Sequence, residues 1–297
     1  MKKVFTVFAA LCAVCMLSAY ENAAEALKAA SELRNKRDFK GAAAVYEEAG
    51  KLATQPGQKY SAVFLRGVCL CQAGSYDDGI SLIREARRIA ASNGQKISSQ
   101  FHIGYYLSAQ KKYDEAIAEM KKVKEIAPGV KNDYVDRVDS CIGLYLSSQK
   151  KYKEAVEAVQ ESCKSPNPDI ALTAWSVAYT AYRNLKDDEG MQKAVSAMLA
   201  LEPRQASLYF TARRCAFELA RAQKKHAEAL KYADEIVAKK GLNKFLHDNG
   251  VFYKAISYAA LRDKENELAQ WKLLENCGIK SFEAAAARNI KRLTEKK

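Results

Sequence analysis

Seven positions frame this chain. Phe39, Tyr76, Tyr113, Tyr152, Asp187, His226 and Lys264 succeed one another at intervals of 35 to 39 residues. The first six are each followed three residues later by a small residue: Ala42, Gly79, Ala116, Ala155, Gly190 or Ala229. Nine residues ahead of the anchors, small residues recur in six of the seven copies, at Ala30, Gly67, Gly104, Gly143, Ala178 and Ala255. A period of this length means one supersecondary unit stacked on copies of itself. Glycine inside a helix costs about 1 kcal/mol against alanine. Its return at fixed places therefore says that two backbones must come close there.

The unit is plainest between Gln95 and Pro128. Ile97, Phe101, Gly104 and Leu107 keep helical spacing, Gln110-Lys111-Lys112 interrupts it, and Ala116, Met120, Val123 and Ile126 resume it. This predicts two antiparallel helices joined by a tight turn. All five prolines (Pro56, Pro128, Pro166, Pro168, Pro203) fall where one hairpin ends and the next begins, where a missing N–H breaks no helix. No strand-like alternation or βαβ pattern is present. At 48% apolar, with 14 glycines and five prolines in 297 residues, the composition is that of an ordered chain.

These residues closely resemble the tetratricopeptide repeat family. Its 34-residue helix-turn-helix has small residues at the eighth and twentieth places, an aromatic at the seventeenth, alanine at the twenty-seventh and proline near the thirty-second. With Tyr113 at the seventeenth place, Gly104, Ala116 and Pro128 fall on the pattern, and Val123 stands for the alanine. The Tyr76 copy matches through Gly67, Gly79 and Ala86, the Tyr152 copy through Gly143 and Ala155. The resemblance covers about Glu21 to Lys280. It implies an all-α chain, a right-handed α-solenoid of about seven hairpins near 22–55, 58–93, 95–129, 132–166, 168–203, 205–242 and 246–280. Residues 281–297 read as a capping helix, with Phe282, Ala286, Ile290 and Leu293 on one face. The family's early tryptophan is missing. Phe217 stands where the sixth copy should be small, and Glu267 replaces the alanine of the seventh, with Ala269 nearby. Those two copies are expected to pack irregularly.

At the start, Lys2 and Lys3 precede an apolar run from Val4 to Leu17 broken only by Thr6, and Ser18-Ala19 offers small residues. Residues 1–19 read as a secretory signal cleaved after Ala19. The rival is an uncleaved anchor, although the stretch is short for a hydrocarbon core of about 30 Å. Neither Cys12 nor Cys15 follows a small residue, which argues against lipidation. The expected location is periplasmic or secreted, the alternative being attachment through the N-terminal segment. Net charge is +13, or +11 without Lys2 and Lys3; the surplus favours anionic partners or serves solubility alone. Of eight cysteines, six remain once Cys12 and Cys15 leave, and export would permit disulfides. Cys141 and Cys163, on the two helices of one copy, are the first pair to test, with buried free thiols expected for most.

Nothing reads as catalytic. His102, His226 and His247 lie in different copies, and no P-loop, GxGxxG or GxSxG is present. We expect a non-enzyme with no catalytic residue, cofactor or metal. Asp77-Asp78 and Asp187-Asp188 start second helices, where the helix dipole accounts for them. In the resembled family the first helix of each hairpin lines the concave side. One position there carries Leu27, Phe64, Phe101, Ser140, Trp175, Arg214 and Phe252; four residues on stand Ser31, Val68, Tyr105, Leu144, Tyr179, Glu218 and Ile256. Spacing of four makes one stripe. As a groove, Phe64, Phe101, Tyr105, Trp175, Tyr179, Tyr182, Arg183, Arg214 and Arg221 would grip a protein or peptide, since aromatics and arginine dominate binding energy. The same stripe, mostly apolar and unbroken from repeat to repeat, also reads as core between repeats.

A second candidate is a basic rim at the hairpin turns: Lys111, Lys112, Lys150, Lys151, Lys186, Lys224 and Lys225. It would face anionic lipid or polymer, or would merely complement helix C-termini. The expected function is a non-catalytic scaffold binding a protein or peptide partner in the groove, with rim binding as the alternative. Steep weakening with salt would mark the rim. Nucleic acid is not an expected partner of an exported chain, and membrane contact would come only through the rim or an uncleaved signal.

Overall fold

The computed structural model describes residues 20–126, 128 and 132–295; the leader expected over 1–19 lies outside them. The described residues form helices and turns without a strand. The chain divides into two units, one ending at Gln149 and one beginning at Lys150. The first holds α1 (Ala23–Asn35), α2 (Phe39–Leu52), α3 (Pro56–Gln72), α4 (Tyr76–Ile89), α5 (Asn93–Ala109), α6 (Tyr113–Ile126) and α7 (Asp133–Ser148). The second holds α8 (Tyr152–Val159), a 3-10 turn (Ser162–Lys164), α9 (Pro168–Leu185), α10 (Asp188–Leu199), α11 (Ala206–Ala222), α12 (His226–Ala238), α13 (Lys244–Leu261), α14 (Lys264–Leu273) and α15 (Lys280–Thr294). In both units successive helices pack on each other, and first helices also meet the first helices of neighbouring hairpins, as α3 meets α5 and α9 meets α11. This double contact makes each unit a helical repeat stack.

The hairpin turns are set by backbone chemistry. Arg37, Lys111, Lys150, Lys186, Lys224 and Arg262 all take left-handed backbone, with φ between 58° and 63°, where the second hairpin uses Gly74. Two hydrogen bonds close the turn: Lys186 N–H donates to Arg183 O at 3.2 Å, and Asp187 N–H to Tyr182 O at 3.0 Å. This pairing satisfies the carbonyls that a helix end leaves orphaned. The next residue already caps the second helix. Asp38, Asp187 and Asp263 accept from the N–H of Gly41, Gly190 and Asn266, a cap worth about 1 kcal/mol.

The fixed glycines answer to contact distance. A Cβ on Gly67 would lie 2.7 Å from Gly79 O, and one on Gly79 would lie 2.6 Å from Gly67 O. Helices α3 and α4 therefore touch backbone to backbone. The two deviant copies find other solutions. Phe217 is buried and stacks on Tyr253 of α13 at 4.3 Å. Glu267 is 2% exposed, accepts from Trp271 Nε1 at 3.1 Å and pairs with Arg292 of α15. The position that lost its alanine thus fastens the last helix. Phe282 of α15 stacks on Phe252 at 5.1 Å beside buried Ala285 and Ala286.

All six cysteines of the described residues, Cys141 and Cys163 included, are free thiols. Four are buried, and burial raises Cys69 to about 11 and Cys71 to about 12. Such thiols act as small core residues rather than nucleophiles.

Candidate functional site: the first-helix faces and a cleft beside Trp175

In the first unit the aromatic stripe is mostly interior. Phe101 is 3% exposed, so it is a core residue rather than a groove contact. It meets Tyr134 of α7 at 5.0 Å, and the Arg137 guanidinium lies over the Phe101 ring, 5.4 Å from its centroid. His102 sits among Phe64 of α3, Phe101 and Tyr106 of α5, and Tyr134 of α7, at 5.0 to 6.2 Å. Its Nδ1 lies 2.8 Å from Ser98 O and donates to that carbonyl. Burial lowers the His102 pKa, with Arg137 pushing the same way against the Ser98 bond, so the imidazole is a neutral aromatic member of the core. Phe64 is half-buried in this cluster. One turn beyond Phe101, the stripe reaches solvent: Tyr105 on α5 and Leu144 on α7 are each 48% exposed. These are equivalent positions on two first helices that pack together.

In the second unit Tyr179 is 2% exposed. It belongs to the core with Leu172, Met191 and Ala212 and not to a groove. The arginines are also occupied. Arg183 donates to Glu218 at 2.9 Å, and Arg214 donates to the other oxygen of Glu218 at 2.7 Å. Burial works against the Arg214 charge, but Cys215 and Glu218 outweigh it and raise its pKa. One carboxylate thus holds two guanidinium groups that the stripe offered for ligand. Arg221 is exposed, with its guanidinium 5.7 Å from the Phe217 ring. Trp175 and Tyr182 are half-buried and line a cleft of about 420 Å³ between α8, the 3-10 turn, α9 and α10.

The rim is not a uniform basic surface. In the first unit Gln110 donates to Asp77 at 2.8 Å, Lys112 stands 3.6 Å from the same oxygen, and Gln149 donates to Asp114 at 2.9 Å. Those contacts hold the Asp77 carboxyl below the usual range, the Gln110 bond first and Lys112 second. The turn of one hairpin therefore lies against the acidic start of the preceding second helix. In the second unit, too, the basic turn residues are followed by acids: Lys186 by Asp187, Asp188 and Glu189, Lys224 and Lys225 by Glu228. Acids that complement helix N-termini alternate with the cations along this edge. Among the described residues no group of three or more potential metal ligands occurs, and no helix is long and apolar enough to cross a membrane.

No protein-family model matches the sequence, and no curated protein does. Solved structures do. A tetratricopeptide repeat protein from Parabacteroides merdae is similar over 93% of this chain and 100% of its own, with a TM-score of 0.54 and 13% identity. The C-terminal part of a TPR repeat-containing protein from Cytophaga hutchinsonii covers 90% and 95%, with a TM-score of 0.52 and 19% identity. Pseudomonas aeruginosa pilF covers 78% and 99%, with a TM-score of 0.50 and 15% identity. The chain has the tetratricopeptide repeat fold.

At such identities the tetratricopeptide packing survives through size, not identity. Its anchor is aromatic in only four of seven copies, while the alanines at the close approaches, Ala30, Ala42, Ala116, Ala155 and Ala229, are completely buried. Sequence reasoning placed Trp175 and Tyr182 in one cluster on the first-helix stripe; in the structure both line this cleft. It missed Lys193, Val156 and Cys163, which line that cleft from α10, α8 and the 3-10 turn. Leu144 stood on the stripe beside Tyr105, and its plain aliphatic character gave no reason to single it out.

Proposed function

We propose that this chain is a non-catalytic scaffold, exported to the periplasm or secreted, that holds a protein or peptide partner on the first-helix face of its first unit. One observation carries the reading: Tyr105 and Leu144 stand about half exposed at equivalent places on neighbouring first helices. Single exposed apolar residues are ordinary. Two in register on packed helices, above a core closed by Phe101, His102 and Tyr134, form a preformed patch that a partner's apolar side chains would cover. Ser108 and Ser148 bond back to the Tyr105 and Leu144 carbonyls at 2.7 and 3.0 Å, so the patch is edged by polar groups whose bonds are already made. Binding through a basic rim is the weaker reading, because that edge alternates in sign.

Changing Tyr105 and Leu144 together to serine should weaken partner capture from an envelope extract by about tenfold or more, with helix content by circular dichroism unchanged. Capture that survives both changes, or that disappears on raising salt alone, would remove this face from consideration. Export rests on the leader sequence. Mass analysis of the mature chain should find Tyr20 at its start; an intact Met1 would replace export by anchoring.

A further inference from the structure

The cleft beside Trp175 has a local origin. Helix α8 stops after 8 residues, where α2, α4 and α6 each run for 14. The backbone then passes through a 3-10 turn at Ser162–Lys164 ahead of Pro166 and Pro168. The missing half-helix leaves about 420 Å³ that α9 and α10 do not fill, within the range of roughly 300–1,000 Å³ usual for small-molecule sites.

Its walls are apolar: Val156, Cys163, Ala178 and the rings of Trp175 and Tyr182. Burial pushes the Cys163 thiol up to about 12, Lys193 acting weakly against it, so the wall offers no ready nucleophile. The cations lining the cleft are Lys164 and Lys193. Glu161 matches Lys164 at 2.7 Å. Lys193 has no ion-pair partner among the described residues. The cleft therefore joins an apolar body to one uncompensated positive charge.

We propose that this cleft binds a small apolar monocarboxylate, its hydrocarbon body against Trp175 and Tyr182 and its acid group at Lys193. A carboxylate gains a charge-assisted hydrogen bond there. A neutral molecule of the same body forgoes that bond, and an amine meets an ammonium of its own sign.

The chain has only two tryptophans, and Trp271 is buried in α14 with its N–H on Glu267, so Trp175 reports on the cleft by fluorescence. The mature chain is titrated with decanoate, decan-1-ol and decylamine, each below its micelle-forming concentration. Decanoate should shift the emission saturably, decanol should bind about tenfold more weakly, and decylamine should not bind. Lys193→Glu should weaken decanoate about tenfold or more while leaving decanol unchanged, and Trp175→Phe should remove the spectral response. Decylamine binding as well as decanoate, decanoate indifferent to Lys193→Glu, or a full response from Trp175→Phe would each overturn the proposal. Val156→Trp, which fills the cleft, should abolish decanoate and decanol binding. Should that variant lose helix by circular dichroism, Lys193→Glu, a change to an exposed side chain, still decides the matter.

Discussion

In the first unit, rings from three successive first helices close around one imidazole, and the stripe emerges only at Tyr105 and Leu144. In the second unit the same register carries Trp175, Arg214 and Glu218, and the filling is different. Arg183, Glu218 and Arg214 form an ion-pair chain across α9 and α11, while the shortened α8 leaves Trp175 beside a cleft. Charge follows the same division. Residues 1–149 hold 21 Lys and Arg against 16 Asp and Glu, and residues 150–297 hold 27 against 19. Most of the basic surplus thus belongs to the second unit. Tetratricopeptide packing in this chain keeps small residues at most helix crossings and tolerates many solutions elsewhere. One unit meets its inter-helix space with aromatic rings, the other with a polar network and a void.

That contrast can be broken most forcefully at Gly67. Valine there would drive its side chain into Gly79 O, a clash with backbone that no rotamer relieves, and should cost about 3 kcal/mol or more. Denaturant unfolding measures it, and a loss below about 1 kcal/mol would mean that α3 and α4 can separate cheaply. The polar network of the second unit should yield less. Glu218→Gln leaves Arg183 and Arg214 facing each other without a carboxylate. With both arginines about a third to a half exposed, solvent screens the loss to about 1 kcal/mol. Restoring the loss by a further Arg183→Gln change would show that repulsion between the arginines is its source.

The smallest effect is the pH response of the ring cluster. Burial depresses the His102 pKa below the unfolded value near 6.5. Between those two values the unfolded chain binds more protons than the folded one, so stability falls as pH drops below about 6.5 and levels off beneath the folded pKa. His102→Gln should flatten that window in thermal melts. A further decline below about pH 4.5 should remain, because Glu119, whose bonds to Gln100 and Lys122 and whose attraction to Arg84 outweigh its burial, titrates there with its pKa lowered. Equal slopes with and without His102 would show that the imidazole charges freely among its rings.

The hairpins were legible because their determinants are local. A period, a proline between units, an aspartate after a left-handed turn and a glycine at a crossing each act within a few residues or at one backbone contact. The deviant copies mark the limit of that reading. Phe217 and Glu267 broke the pattern and implied irregular packing; what the sequence did not show is that each packs against a residue from a later helix, Tyr253 and Arg292. Likewise the rim looked basic because the lysines were read along the chain, whereas Asp77 reaches Gln110 and Lys112 only when two hairpins stack.

By itself, then, the sequence determined that this chain is built of helical hairpins and where most of their backbones nearly touch, since a close helix crossing such as Gly67 on Gly79 leaves no room for a larger side chain. Tertiary structure alone decided that Phe101 is core and Tyr105 surface, one turn apart on one stripe, because that depends on whether a ring from α7 covers them. It also decided that Arg214 is spent on Glu218, and that Tyr152 to Lys164, whose apolar spacing runs on unbroken, stops being an α-helix at Val159 and leaves space beside Trp175.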